Sequence, residues 1–501
     1  MNERRPNILI IVFDAARAEN FSLCGYERPT TPALERHAAR LAVYRQCVSS
    51  AIWTLPSTTG LFTGTYPSTH RLVVDGERLS RRFTTLAEML SAENYVTAKI
   101  TGHVPYVSDF SGLDRGFAHV MEPPPNPLRA RWRAIKQRLA RREGRQRQEG
   151  VDLGLDLKAE ADDAQRRSLR NRLRYWMTGF ADVGAAACMD HLRRFWQQHE
   201  DRPRFAYLHL QETHAEYRPP HRYRRRFLPE ALKRHDLATI NQRPNPHDVG
   251  LVKLTEQEYE VLTGLYDGCI AYLDEQVGRL LDDLSKRPDF DKTLIIVTAD
   301  HGDCLGRHGV LGHQFVCYEE LIHIPWIVKW PRNISITGDQ DNLIQNLDLV
   351  PTLCSIMGLE APRQCEGIDI LSQSREFAYS ELLKPFGTGA IRQGLHEMAP
   401  HLNRGVLAVR NRTHKQLIYT NDQPAECFDL VHDPRERHNL LTGANAAASH
   451  NITDQLAAAT AAWGPRWREA YADVQARLLG GPDAAMSPEV EERLRALGYL
   501  D

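Results

Sequence analysis

An uninterrupted apolar run, Ile8-Leu9-Ile10-Ile11-Val12-Phe13, stops on a carboxylate, Asp14. Side chains alternate between the two faces of a strand, so six apolar residues in a row leave neither face suited to water. The run predicts a strand buried inside a sheet that is covered on both sides. Comparable runs recur at 95–100, 205–210, 293–298 and 325–329, with amphipathic helical patterns between them at 31–40, 84–92 and 256–284. Buried strands alternating with such helices specify an α/β fold with helices on both sheet faces. Chemistry in these sheets gathers at the carboxyl ends of strands. Asp14 and Asp300 each stand at one.

The charge balance narrows the function classes. The 501 residues carry 63 Lys+Arg against 64 Asp+Glu, a formal net charge of -1. No overall basic field exists, so no nucleic-acid partner is expected. Hydrophobic residues make up 42%, which excludes a disordered or collagen-like chain. The nine cysteines are odd in number and form no CxxC pair, a pattern of reduced thiols. The opening apolar run is short for a signal peptide, and no stretch approaches the ~18 apolar residues of a membrane span. A cytoplasmic location is the expectation, and the four Asn-x-Ser/Thr sequons are read as chance.

Composition shifts mark the domain plan. Residues 1–375 read as the core domain, interrupted at about 122–180 by a charged helical insertion. Between Arg129 and Arg147 lie nine basic residues and one acid, Glu143, and an acidic stretch follows at 149–163. Such blocks pair with each other as solvated helices or meet an anionic surface. Residues 376–501 read as a smaller C-terminal α+β subdomain, with short strands near 405–409 and 416–419 before an Ala-rich helical tail.

Three segments carry candidate chemistry. Ala299-Asp300-His301-Gly302-Asp303 puts a carboxylate and an imidazole directly after a buried strand, a compact metal-ligand pair, and Asp14 ends its own strand in the same manner. The alternative is that both acids cap the helices that follow. Thr54 stands two residues before Pro56, which suits a first helical turn. There its hydroxyl is either a nucleophile facing an anion or a plain N-cap. His214 and His313 sit in loops, as ligands of an oxyanion or as ordinary polar residues.

Together these segments resemble the sulfatase-like branch of the alkaline phosphatase superfamily. The resemblance runs in order through Pro6-Asn7-Ile8-Leu9 to Asp14-Ala15-Ala16-Arg17, Thr31-Pro32-Ala33-Leu34, and Thr54-Leu55-Pro56-Ser57. It continues through Leu265-Tyr266-Asp267-Gly268, Thr298-Ala299-Asp300-His301-Gly302, and Cys427-Phe428-Asp429-Leu430. It implies a three-layer αβα sandwich with a mixed, largely parallel central sheet. It implies Asp14, Asp300, His301 and Thr54 as metal ligands, with Thr54 also the nucleophile. His214 and His313 would hold the oxyanion or the leaving group, and Arg17 and Glu212 are further substrate-binding candidates. The donor set suits one Mn²⁺ or Zn²⁺, with Ca²⁺ or Mg²⁺ as alternatives.

The departures from the family matter. Family sulfatases place Cys or Ser at the nucleophile with an Arg four residues on, and convert it to formylglycine; this chain has Thr54 and Thr58. Phe13 and His301 replace a second acid and an asparagine. These changes point to a hydrolase of phosphate esters, a phosphodiesterase, phosphomonoesterase or phosphonate-ester hydrolase working through a phospho-threonine intermediate. The alternatives are a sulfatase without formylglycine, a phosphotransferase tailoring a glycan, lipid or metabolite, and a non-catalytic binding protein of the same fold.

Overall fold

A computed structural model describes residues 5–102, 104, 106–122, 182–233, 237, 240–384, 395–442 and 450–479. Nearly all of the charged insertion expected at 122–180 lies outside these residues. The strands in chain order are β1 (Asn7–Phe13), β2 (Ala42–Val48), β3 (Val96–Thr101), β4 (His119–Met121), β5 (Arg204–Leu210), β6 (Thr293–Thr298), β7 (Cys304–Leu305), β8 (Leu311–Gly312), β9 (His323–Lys329) and β10 (Gly338–Gln345). Eight of them form the central sheet, in the order β10-β2-β9-β6-β1-β5-β3-β4. Only β9 runs antiparallel to its neighbours; the other seven share one direction. The fold is therefore α/β with a mixed, mostly parallel sheet, as expected.

β1 is central, in register with β5 (Ile8 opposite Phe205) and with β6 (Ile8 opposite Leu294). All seven of its residues are buried. Each large apolar side chain there contributes about 1.5–3 kcal/mol of burial energy, which anchors the Asp14 backbone firmly.

The helix expected over 256–284 is Glu256–Leu284, opened by a reciprocal capping box between Thr255 and Glu258. The helix expected over 31–40 is instead a single turn, Pro32–Glu35, followed by a 3₁₀ turn, Ala38–Arg40. The first turn is capped from outside, and the chain leaves the helix three residues later. The Ala33 and Leu34 amides donate to the buried Asp274 carboxylate at 2.7 and 2.9 Å, and the His37 backbone (φ -99°, ψ 1°) leaves the helical region. No helix among the described residues is long and apolar enough to cross a membrane.

The C-terminal subdomain is an antiparallel sheet of β11 (Ala378–Leu382), β12 (Val406–Arg410), β13 (His414–Tyr419) and β14 (Glu426–Asp429). Helix His450–Leu479 packs on β12 and β13 and brings the buried Trp467 into an apolar cluster with Val73, Leu407 and Val409. Buried polar ties fasten this unit to the core. Glu381 accepts from the Ser68 amide (2.7 Å), the Ser68 hydroxyl (2.8 Å) and the Trp463 indole (2.6 Å).

Candidate active site

Four parallel strands deliver their last residues to one edge of the sheet. β1 leads into Asp14, β2 into the segment before Thr54, β5 into His214, and β6 into Asp300 and His301. The Asp14 amide donates to Leu210 O at 2.9 Å, stitching two strand ends together. Ala15 then turns at φ 60°, a conformation that costs an L-residue about 1–2 kcal/mol. Its amide donates to Asp300 Oδ1 (3.1 Å), and its carbonyl accepts from the Tyr266 hydroxyl (2.7 Å). That same hydroxyl accepts from the Arg17 amide at 2.8 Å. The strained turn aims the Asp14 carboxylate at Asp300.

Helix Thr54–Thr63 is buried along its whole length, and no side chain caps its N-terminus. Packing on every side holds it. The Ser57 and Ser49 hydroxyls both donate to Asp300 O at 2.6 Å, and Asn346 Nδ2 donates to Ser57 O at 3.0 Å. The first turn of this helix is thus tied to the end of β6. Thr54 Oγ1 lies 3.3 Å from His301 Nε2. His301 Nδ1 donates to Gly302 O (2.7 Å), so Nε2 is left with its lone pair facing the site.

Asp14, Asp300 and His301 offer donor atoms that all lie within 4.8 Å of one another, and all three residues are buried. Both Asp14 carboxylate oxygens and Asp300 Oδ2 lack any hydrogen-bond donor. Buried carboxylates left this way are costly unless a cation meets them. The hard oxygen donors and borderline imidazole fit a divalent metal. Burial alone raises the Asp14 carboxyl, but the imidazoles of His214, His209 and His301 outweigh it and hold the group below the usual carboxylate range.

His313 and His214 flank this cluster. The His313 ring centre lies 4.6 Å from that of His301 and 4.8 Å from that of His214. Burial opposes a charge on His313, yet the carboxylates of Asp303, Asp14 and Asp300 more than offset it and raise the imidazole above its usual value. The structure brings together Asp14, Thr54, His214, Asp300, His301 and His313.

Two expected substrate ligands have other partners. The Arg17 guanidinium is buried against Glu320 (2.8 Å) and Glu19 (3.1 Å). Glu212 accepts from the Ala185 amide (2.8 Å) at the start of helix Ala185–Gln198. Burial, with Asp182 alongside, pushes the Glu212 carboxyl up to about 8.

His209 was missed by sequence reasoning. Its Nε2 lies 3.5 Å from Asp14 Oδ2 and 3.8 Å from Asp300 Oδ2, and Tyr207 OH meets its Nδ1 at 2.8 Å. The available signal was an imidazole inside an otherwise buried apolar strand.

The sulfatase family profile matches residues 6–359. The chain belongs to the sulfatase family. The profile for the C-terminal part of N-sulphoglucosamine sulphohydrolase matches residues 306–462 of this sulfatase-family chain. It is 25% identical over 452 residues to an ulvan-active sulfatase of Formosa agariphila, covering 87% of this chain and 77% of that protein. It is also 25% identical to a choline-sulfatase of Rhizobium meliloti, covering 88% and 83%. The phosphonate monoester hydrolase of Agrobacterium radiobacter shares its fold, with a TM-score of 0.65 at 20% identity over 91% of this chain and 95% of that one. This family member is an ester hydrolase of the alkaline phosphatase superfamily with a buried Asp-Asp-His cluster suited to metal.

Proposed function

We propose that this protein hydrolyses a sulfuric ester, with Thr54 serving unmodified as the nucleophile. The observation that carries the reading is the Thr54 hydroxyl at an uncapped helix N-terminus, 3.3 Å from His301 Nε2 beside the paired Asp14 and Asp300. Likeness to sulfatases over 87% and 88% of this chain supports the sulfuric ester over other anionic esters. Oxidation of a threonine side chain gives a ketone, so the formylglycine aldehyde is closed to Thr54. A divalent cation held by Asp14, Asp300, His301 and Thr54 would supply positive charge that favours the ionised hydroxyl and neutralises the ester oxygens. Mn²⁺ or Zn²⁺ suits these donors, one ion per chain.

The residues divide the remaining work. Thr54 Oγ attacks the sulfur, and the alkoxy leaving group departs with a proton from His313. The Thr54 amide at the helix N-terminus faces the charge on the ester oxygens. Water then attacks the sulfo-threonine, giving its proton back to His313 and restoring Thr54.

A phosphate or phosphonate ester is the second reading. The threonine at the nucleophile position and the imidazole of His301 favour it, since an unmodified alkoxide is a competent acceptor of a phosphoryl group. Turnover of 4-nitrophenyl sulfate, phosphate, phenylphosphonate and the bis-nitrophenyl phosphodiester separates the two. The sulfate should be preferred, and activity confined to the phosphorus esters would transfer the assignment to the second reading.

A further inference from the structure

Asp303 stands just before β7, and His313 just after β8. The hairpin pairs Cys304 with Gly312, which sets Asp303 and His313 opposite each other across its open end. His313 Nδ1 meets Asp303 Oδ1 at 3.1 Å, and the other carboxylate oxygen, Oδ2, accepts from the Tyr217 hydroxyl. Asp303 is fully buried and Tyr217 nearly so. The Tyr217 backbone is pinned by its amide to Gln242 Oε1 (2.7 Å), and its ring packs edge-on against Tyr266 at 5.1 Å. Asp303 therefore gives one oxygen to each partner. Within this arrangement one nitrogen of His313 is committed, and the other is left to the histidine cluster.

We propose that Asp303 and Tyr217 are positioning residues that fix His313 with its proton on Nδ1 and its Nε2 directed at the ester, a tyrosine–carboxylate–imidazole relay built on the β7–β8 hairpin. The inference rests on the proposed ester hydrolysis and adds to it the means by which one imidazole serves both half-reactions. In the first, the bond between sulfur and the leaving oxygen breaks. The oxygen keeps the electron pair and takes the Nε2 proton of the doubly protonated His313 ring, which is left neutral with its proton on Nδ1. In the second, Nε2 accepts a proton from the attacking water, so the imidazole ends as it began. Asp303 holds the ring through its Oδ1 in both half-reactions, and Tyr217 prevents the carboxylate from rotating away.

A series of aryl and alkyl esters of graded leaving-group acidity tests this, using wild-type protein, Asp303→Asn, Tyr217→Phe and His313→Gln. A good leaving group such as 4-nitrophenolate needs no acid, whereas phenolate and alkoxide do. Asp303→Asn should lower kcat about 100-fold for the poor leaving groups and less than about 3-fold for nitrophenyl, with KM little changed. Tyr217→Phe should show the same trend more weakly, and His313→Gln the same trend at least as strongly. An equal loss across the series would overturn the proposal, because a purely structural role has no knowledge of the leaving group.

The second readout needs no turnover. In protein carrying ¹⁵N-histidine, at a pH high enough for the ring to be neutral, the signals absent from His313→Gln should report a proton on Nδ1 in the wild type and lose that preference in Asp303→Asn. An unchanged His313 signal in Asp303→Asn sinks the relay, whatever the kinetics. If wild-type protein turns over no ester but its His313 signal behaves as expected, the relay stands and the proposed function fails.

Discussion

At the scale of single residues, chemistry depends on a few side chains that folding has left unsatisfied. Asp14 and Asp300 hold three carboxylate oxygens without donors in a fully buried setting. The Thr54→Ala variant should lose turnover by more than ~1000-fold while still binding metal, since three ligands remain. Asp300→Asn should copurify with little or no metal by elemental analysis, and its thermal midpoint should no longer respond to added Mn²⁺ or Zn²⁺. Metal content equal to wild type in Asp300→Asn would remove that carboxylate from the site. The places of Asp14, Thr54, Asp300 and His301 at strand ends and a helix start were legible in the sequence, whereas the roles proposed for them came from the family resemblance. His209 was not legible, because it lies within β5, where a sequence reader counts apolar residues and passes over the imidazole. The pairing of Asp303 with His313 was equally hidden. The hairpin that creates it has strands of two residues each, too short to leave a periodic signal.

At the scale of elements, the site is held by pieces that do not touch substrate. Helix Glu256–Leu284 presents Tyr266 to the Asp14 turn and Asp274 to the turn at Pro32–Glu35. Burial raises the Asp274 carboxyl to about 7, from 3.8, despite two amide donors that favour its charge. A carboxyl raised on folding adds stability that is complete below its unfolded value and is lost as pH climbs through its folded one. Wild type should therefore lose ground to Asp274→Asn between about pH 4 and pH 8, by ~2–4 kcal/mol, measured as urea-unfolding free energies. A constant difference across that range would show that Asp274 titrates normally. The long helix itself was legible to the residue, because its cap and periodicity agree. The 31–40 helix is shorter than expected because the backbone leaves the helical region at His37, and only a 3₁₀ turn follows. β10 gave no warning either: it reads Gly-Asp-Gln-Asp-Asn-Leu-Ile-Gln, an edge strand with most of its first half exposed.

At the scale of the whole molecule, the small sheet and the long terminal helix are structural partners of the core. Trp467, fully buried, joins Val73 of the core region to Leu407 and Val409 of the small sheet. Trp467→Ala should cost about 3–5 kcal/mol. The polar ties through Glu381 predict one unfolding transition in urea, seen alike by fluorescence and circular dichroism. Two separated transitions would mean that the subdomain folds independently of the sheet. The buried Lys415, paired with Glu319 (3.3 Å) and Glu436, extends this coupling to the turn that precedes β9.

The lone antiparallel strand has a consequence for how such a protein can change. β6 ends, and β9 begins, at the same edge of the sheet. Everything between them, residues 299–322, leaves and returns without crossing to the far side. That stretch carries Asp300, His301, Asp303 and His313 together. Replacing it from a relative exchanges two of the proposed metal ligands and the proposed proton donor in one graft, with no rethreading of the sheet. Chemistry can thus diverge as a cassette while the strands beneath it keep their order.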